Sequence, residues 1–167
     1  MEFRKTKLKD IDQILEIYRQ GSESLKRDGV DQWQNEKPDT KTLMTDIEME
    51  ESYVLVEDNN VKGTAAVIFG GEKTYDLIFN GMWFNDEEYC TIHRLAVSEE
   101  SKRKGLAKAM MDEIEKLCKS KGIYSIRIDT HEDNVKMRNF LERSGFFYCG
   151  KIFLRSGDLR VAYQKEL

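Results

Sequence analysis

The sequence predicts a mixed α/β (α+β) chain built on a mixed sheet, and three observations lead there. Segments rich in β-branched and aromatic residues, such as SYVLVED, EYCTIHRLAV and YSIRIDT, alternate with segments whose apolar residues recur at helical spacing. Turn signals separate them, as at Asp58-Asn59-Asn60 and Ser156-Gly157-Asp158. The 167 residues hold a single proline, Pro38, and no internal repeat, so the chain reads as one domain over 1–167 with one core.

The opening EFRKTK reads as a short strand. Asp10 can cap the helix that follows, with Gln13 as its capping-box partner and Ile11, Ile14, Leu15 and Tyr18 along its apolar face. Gly21 and Gly29 punctuate the next region, and TKTLMTDIEMEE reads as a second helix. SYVLVED and VKGTAAVIFG are hairpin partners across the DNN turn, and TYDLIFNGMWF holds a further strand. EYCTIHRLAV is long enough for a central strand. A third helix is indicated from Gly105, because Leu106, Met110, Ile114 and Leu117 share one face and Lys119, Lys121 and Gly122 suit its end. YSIRIDT alternates as a strand; Asp133 can cap a last helix carrying Met137, Phe140 and Leu141, which Gly145 ends. FFYCGKIFLR and LRVAYQKEL close the chain as an antiparallel hairpin.

Composition excludes several classes. The 27 cations against 31 anions argue against a nucleic-acid binder. No apolar run approaches the ~20 residues needed to span a bilayer, which argues against a membrane role. The start MEFRKTKLKD lacks an apolar h-region, so the cytoplasm is the expected location. Cys90, Cys118 and Cys149 are odd in number and lack metal-ligand spacing, so free thiols and no metal are expected.

One stretch carries chemistry. In SKRKGLAKAMMDEI, the cations Lys102, Arg103 and Lys104 stand before Gly105 and the start of a helix. A helix N-terminus offers unpaired N–H groups and a partial positive charge, and it ordinarily prefers acids beside it. Cations placed there invite an anionic ligand; Gly105 lets a phosphate approach the backbone, and Ala107 is small for the same reason. The alternative is a solvated turn before an ordinary helix. The run is not a Walker loop, since no GxxxxGK[ST] is present.

From Thr91 to Phe146 the sequence TIHRLAVSEESKRKGLAKAMMDEIEKLCKSKGIYSIRIDTHEDNVKMRNFLERSGF resembles the GNAT N-acetyltransferase superfamily. The resemblance lies in a strand ending Leu95-Ala96-Val97, the [QR]xxGx[GA] loop as Lys102 to Ala107, a strand, and an Asn-led helix ending in Gly145-Phe146. It implies a mixed, mostly antiparallel central sheet of six to seven strands flanked by about four helices. It implies acetyl-CoA as co-substrate, with pyrophosphate at Lys102, Arg103, Lys104, Gly105, Leu106 and Ala107 and pantetheine along Leu95, Ala96 and Val97. Asn134 matches an asparagine that contacts the CoA arm in many relatives; a helix-cap asparagine is the other reading. Lys102 departs from the usual Gln or Arg, keeping charge but losing a planar set of donors.

Acetyl transfer needs a neutral amine, a polarised carbonyl and a proton for the departing thiolate. His93 is the candidate base, because it lies where many relatives carry a strand glutamate and imidazole titrates near neutral pH; a packed, hydrogen-bonded histidine is the alternative. His131, just past a strand end, is a candidate substrate contact or an ordinary loop histidine. Trp33 and Gln34 fall in the segment that covers the acceptor in many relatives, with Trp83 and Phe84 as a second wall. Leu141 stands where relatives often carry a tyrosine that protonates the leaving thiolate, so that proton needs another source. The resemblance thus implies an N-acetyltransferase acting on a primary amine of a small molecule or peptide, with a non-catalytic acyl-CoA-binding domain as the rival. Many relatives dimerise, so a homodimer is an expectation.

Overall fold

Phe3 stacks on Tyr53 at 5.2 Å with the rings 10° from parallel, where β1 (Glu2–Lys5) lies antiparallel to β2 (Ser52–Glu57). The computed structural model describes residues 1–167. They form two compact units, one of residues 1–67 with 93–114 and one of residues 68–92 with 115–167. The remaining elements are α1 (Ile11–Arg27), α2 (Thr40–Glu48), β3 (Asn60–Phe69), β4 (Cys90–Val97), α3 (Leu106–Ser120), β5 (Ser125–Thr130), α4 (Val135–Arg143), β6 (Phe147–Phe153) and β7 (Leu159–Glu166). The seven strands follow the hydrogen-bonded order β1-β2-β3-β4-β5-β7-β6, parallel at β4/β5 and antiparallel in the β1/β2, β2/β3, β5/β7 and β7/β6 pairs. This is the mixed, mostly antiparallel sheet with four helices that the sequence implies.

In the first unit, Ile14, Ile17 and Tyr18 of α1 and Leu43 of α2 pack on Val54, Val56 and Val61 of the β2–β3 hairpin. Ile14 and Leu43 are fully buried, and each contributes about 2 kcal/mol by leaving water. Asp58 and Asn59 take φ 49° and 64°, the left-handed pair a tight hairpin turn demands. The expected Asp10–Gln13 capping box does not form. Asp10 instead receives a two-pronged Arg4 at 2.7 and 3.0 Å and the Lys7 N–H at 2.8 Å, while Gln13 Oε1 accepts the Val61 N–H at 2.9 Å. A charged partner within reach outcompetes a local cap.

In the second unit, β5 presents Ser125, Arg127 and Asp129 on one face, as period-two alternation requires. The connection between β3 and β4 supplies the partners of Arg127 and Asp129, and β7 that of Ser125. Tyr75 donates its hydroxyl to Asp129 at 2.6 Å, Arg127 stacks on Trp83 and Tyr89 at 4.4 and 4.0 Å, and Gln164 Nε2 donates to Ser125 at 2.8 Å. The strand expected within TYDLIFNGMWF is not there. That stretch holds a short 3-10 turn at Lys73–Tyr75 and one antiparallel bridge, Phe79 to Lys151. Asn80 at φ 53° breaks the extension, and Trp83, whose Nε1 donates to Tyr75 O at 2.9 Å, draws the chain round. Gly81 passes so close to β6 that an added Cβ would stand 1.8 Å from Cys149 O.

At α4 the cap is Asn134, whose Oδ1 accepts the Met137 N–H at 3.2 Å, and not Asp133, which lies one residue too early to reach that turn. Cys90, Cys118 and Cys149 are buried free thiols. No helix is long and apolar enough to cross a membrane.

Candidate active site

The loop between β4 and α3 is folded by short local bonds. Ser98 N–H donates to Lys62 O at 2.9 Å, closing β4 against β3, and Ser98 Oγ meets Ser101 Oγ at 2.5 Å around a 3-10 turn, Glu99–Ser101. Beyond it, Arg103 stands at φ 64° and Gly105 at φ 74°. The left-handed conformation costs a non-glycine residue such as Arg103 roughly 1 kcal/mol or more. An added Cβ at Gly105 would meet nothing within 4 Å, so glycine is favoured there by backbone conformation and leaves the space beside it open.

The helix ladder of α3 begins with Ala109 N–H to Gly105 O at 3.0 Å. The N–H groups of a helix's first turn, here at Leu106 and Ala107, therefore lack intrahelical acceptors. Leu106 is anchored by its side chain, only 8 % exposed, while Lys102, Arg103, Lys104 and Gly105 are exposed. An open glycine, a helix N-terminus and three cations form a donor set that suits a diphosphate. The loop is fastened to α1: Glu99 N–H donates to Gln20 Oε1 at 2.9 Å, and Lys102 Nζ reaches Ser24 Oγ at 3.1 Å.

Upstream, β4 is irregular in a way the sequence does not announce. Its parallel ladder with β5 joins Cys90 to Ile126 and Thr91 to Arg127, and three residues on Arg94 takes φ 55°. Leu95, Ala96 and Val97 follow as half-buried extended backbone, with Ala96 O and a Val97 methyl beside Gly63 of β3. Arg94 is gripped by Asp46 of α2 at 2.7 and 2.9 Å.

His93 is half-buried on β4, in the electrostatic neighbourhood of Glu51. Burial lifts the Glu51 carboxyl above the usual carboxylate range; Asp46 adds to this, and Arg94 and His93 oppose it. Burial likewise pushes the Tyr18 phenol up to about 12, against the pull of Arg94. Asp46, Glu51, His93, Arg94 and Tyr18 thus form one polar group of the first unit. Sequence reading singled out only His93 among them, and took Tyr18 as part of the apolar face of α1. A signal was available for Asp46, which falls three residues after buried Leu43 on the inner stripe of α2; none was for the backbone of Arg94.

Trp33 and Gln34 are both pinned onto α1. Trp33 meets Tyr18 edge-on at 5.7 Å, lies on Gly21, and its carbonyl accepts from Ser22 Oγ at 2.7 Å; Gln34 Nε2 donates to Ser22 O at 2.9 Å. In the second unit, His131 Nδ1 accepts the Asp133 N–H at 3.0 Å, so it shapes the turn before α4. Leu141 is fully buried and packs as core. Tyr148 is exposed and edge-on to Tyr163 at 5.9 Å, and Phe84 lies against Phe147 at the same distance.

Residues 11–146 match the family model described as the acetyltransferase (GNAT) family. No curated protein matches the sequence significantly. A GNAT-family acetyltransferase structure from Streptococcus agalactiae is similar at 36 % identity and a TM-score of 0.90, over 99 % of this chain and 95 % of that one. One from Listeria monocytogenes, at 24 % identity and TM-score 0.76, covers 99 % of this chain and 94 % of its own. The PaiA N-acetyltransferase of Thermoplasma acidophilum, solved in complex with coenzyme A, shares the fold at 20 % identity and TM-score 0.73, over 99 % and 98 % of the two chains. With the family match spanning most of the length and the glycine-turned, cation-flanked helix start in place, the chain belongs to the GNAT acetyltransferase family.

Proposed function

We propose that this protein moves an acetyl group from acetyl-CoA to a primary amine of a small molecule or peptide, by direct attack of the amine on the thioester. The observation that carries the reading is the loop itself: left-handed Arg103 and Gly105, the open space beside Gly105 and the first turn of α3 make an anion cradle beside extended β4. The fold of a CoA-bound acetyltransferase supports it. The chain acts as one domain over 1–167, in the cytoplasm.

In this account the N–H groups of Gly105, Leu106 and Ala107, with Lys102, Arg103 and Lys104, hold the pyrophosphate. The backbone of Leu95, Ala96 and Val97 lies along pantetheine, and an N–H there stabilises the negative charge that develops on the carbonyl oxygen. The amine nitrogen forms a bond to the carbonyl carbon, the carbon–sulfur bond breaks, and CoA leaves as thiolate. His93, directly or through a water, takes the proton the attacking amine loses. Trp33, Gln34 and His131 contact the acceptor, and Asn134 contacts the CoA arm besides capping α4. Leu141 has no proton to give, so the thiolate departs unprotonated or takes a proton from solvent. An amine acceptor is in keeping with structures that share this fold, among them a ribosomal-protein-alanine N-acetyltransferase from Brucella melitensis and a NatC complex bound to a peptide and CoA.

The test is a panel of amines, polyamines, amino acids, aminoglycosides and peptides incubated with acetyl-CoA, with products read by mass. An N-acetylated product formed without an acetylated protein intermediate is expected. Binding of acetyl-CoA with no acetylated product from any amine would support the rival, a domain that holds acyl-CoA without turnover.

A further inference from the structure

Arg94 is a bulky residue at φ 55° within β4, a conformation that residues other than glycine, asparagine and aspartate avoid. Such a residue persists only where its surroundings over-determine it. Here the surroundings come from α2. Asp46 Oδ2 accepts from Arg94 Nε at 2.9 Å and Oδ1 accepts from Arg94 Nη2 at 2.7 Å. This two-pronged pairing fixes the guanidinium in direction as well as in place. The Asp46 side chain is 8 % exposed and that of Arg94 20 %, so water is poorly placed to substitute for either partner. Tyr18 lies in the same electrostatic neighbourhood, where Arg94 opposes and Asp46 reinforces the effect of burial on its phenol.

We propose that Asp46 is a positioning residue for acetyl transfer: through Arg94 it holds the left-handed kink that aims the N–H groups of Leu95, Ala96 and Val97 at the thioester. This rests on the acetyltransferase reading above and adds to it a grip on the acyl-binding strand from outside that strand. The grip also has a route to the acceptor. α2 starts at Thr40, capped by Asp39, six residues after Gln34. The helix that the acceptor-side segment leads into is the one that clamps β4.

The test compares two double variants that remove both charges and differ only in backbone freedom, Asp46→Ala/Arg94→Ala and Asp46→Ala/Arg94→Gly. Neither leaves a lone buried charge, so both are expected to fold. Glycine adopts φ 55° without a clamp and alanine does not. With the best amine from the panel, the alanine double should lose about tenfold or more in kcat, the glycine double should stay within about threefold of wild type, and KM for acetyl-CoA should change little in both. Equal kcat in the two doubles would overturn the proposal, because an ion pair serving stability alone does not distinguish alanine from glycine. Crystal structures of both doubles with CoA form a second arm that needs no turnover. Residue 94 should keep its positive φ in the glycine double and leave it in the alanine double; retention of the kink in the alanine double overturns the proposal. If wild type acetylates no amine, the acetyltransferase reading fails separately, and the crystallographic arm still decides whether Asp46 sets the kink.

Discussion

The Lys102 ammonium lies 2.5 Å from a Glu99 carboxylate oxygen. Glu99 also faces Arg27 at 3.5 Å, so the first cation of the loop is partly spent on an acid that binds the loop to α1. The three cations are therefore not equivalent.

Replacing Arg103 and Lys104 together by alanine should weaken CoA by about tenfold at low salt, and Lys102→Ala alone should weaken it less. Pantetheine, which lacks the phosphates, should bind both variants as it binds wild type. Calorimetry with the two ligands separates these effects. Equal losses for CoA and pantetheine would mean that the cations act through shape or stability.

Gly105→Val places a β-branched residue at φ 74°, where an added Cβ meets no protein atom. The fold should lose about 1–2 kcal/mol through the backbone alone, and CoA binding should fall by roughly 1–3 kcal/mol as the cradle closes. Gly105→Asn, which tolerates the left-handed region better, should lie between wild type and valine in melting temperature. A folded Gly105→Val with unchanged CoA affinity would falsify the placement of pyrophosphate here.

His93→Ala should lower kcat by about 10²-fold with acetyl-CoA affinity nearly intact. The wild-type rate should rise with pH along an acidic limb that the variant lacks. Profiles taken with two amines of different basicity separate the base from the acceptor's own titration. A variant that keeps both kcat and the limb returns His93 to a structural role.

Alkaline stability follows from groups that burial holds protonated. Tyr18 is pushed up to about 12, Cys149 up to about 11, and Tyr75 well above the ordinary phenol range by burial and then by Asp129. In the unfolded chain these groups lose protons near their ordinary values of about 10 for tyrosine and about 8.5 for cysteine. Above those values the unfolded state binds fewer protons than the native state, so stability present at neutral pH is lost as pH rises. Unfolding curves should shift to lower denaturant from about pH 9 upward, and Tyr18→Phe should flatten that decline. A decline as steep in Tyr18→Phe would assign it to other groups.

The elements were legible where periodicity or turn chemistry speaks locally. The hairpin at Asp58-Asn59, the helix from Leu106 and the closing β6–β7 hairpin all stand where their residues place them. The loop of Lys102 to Ala107 was singled out through its match to the GNAT loop pattern, since cations before a glycine and a helix read equally well as a solvated turn. What failed depended on partners distant in sequence: Asp10 turned to Arg4, Gln13 to Val61, and the segment around Phe79 was bent by Tyr75, Trp83 and Asp129. The kink at Arg94 was invisible for the same reason, since Asp46 lies 48 residues away.

The central claim, that the glycine-turned start of α3 carries the acyl donor, is tested most directly by a crystal structure of the protein with CoA. Diphosphate oxygens within hydrogen-bond distance of the Gly105, Leu106 and Ala107 N–H groups, with pantetheine along Leu95 to Val97, are the expected result. CoA bound with its phosphates elsewhere, and this loop unchanged and empty, would contradict the account.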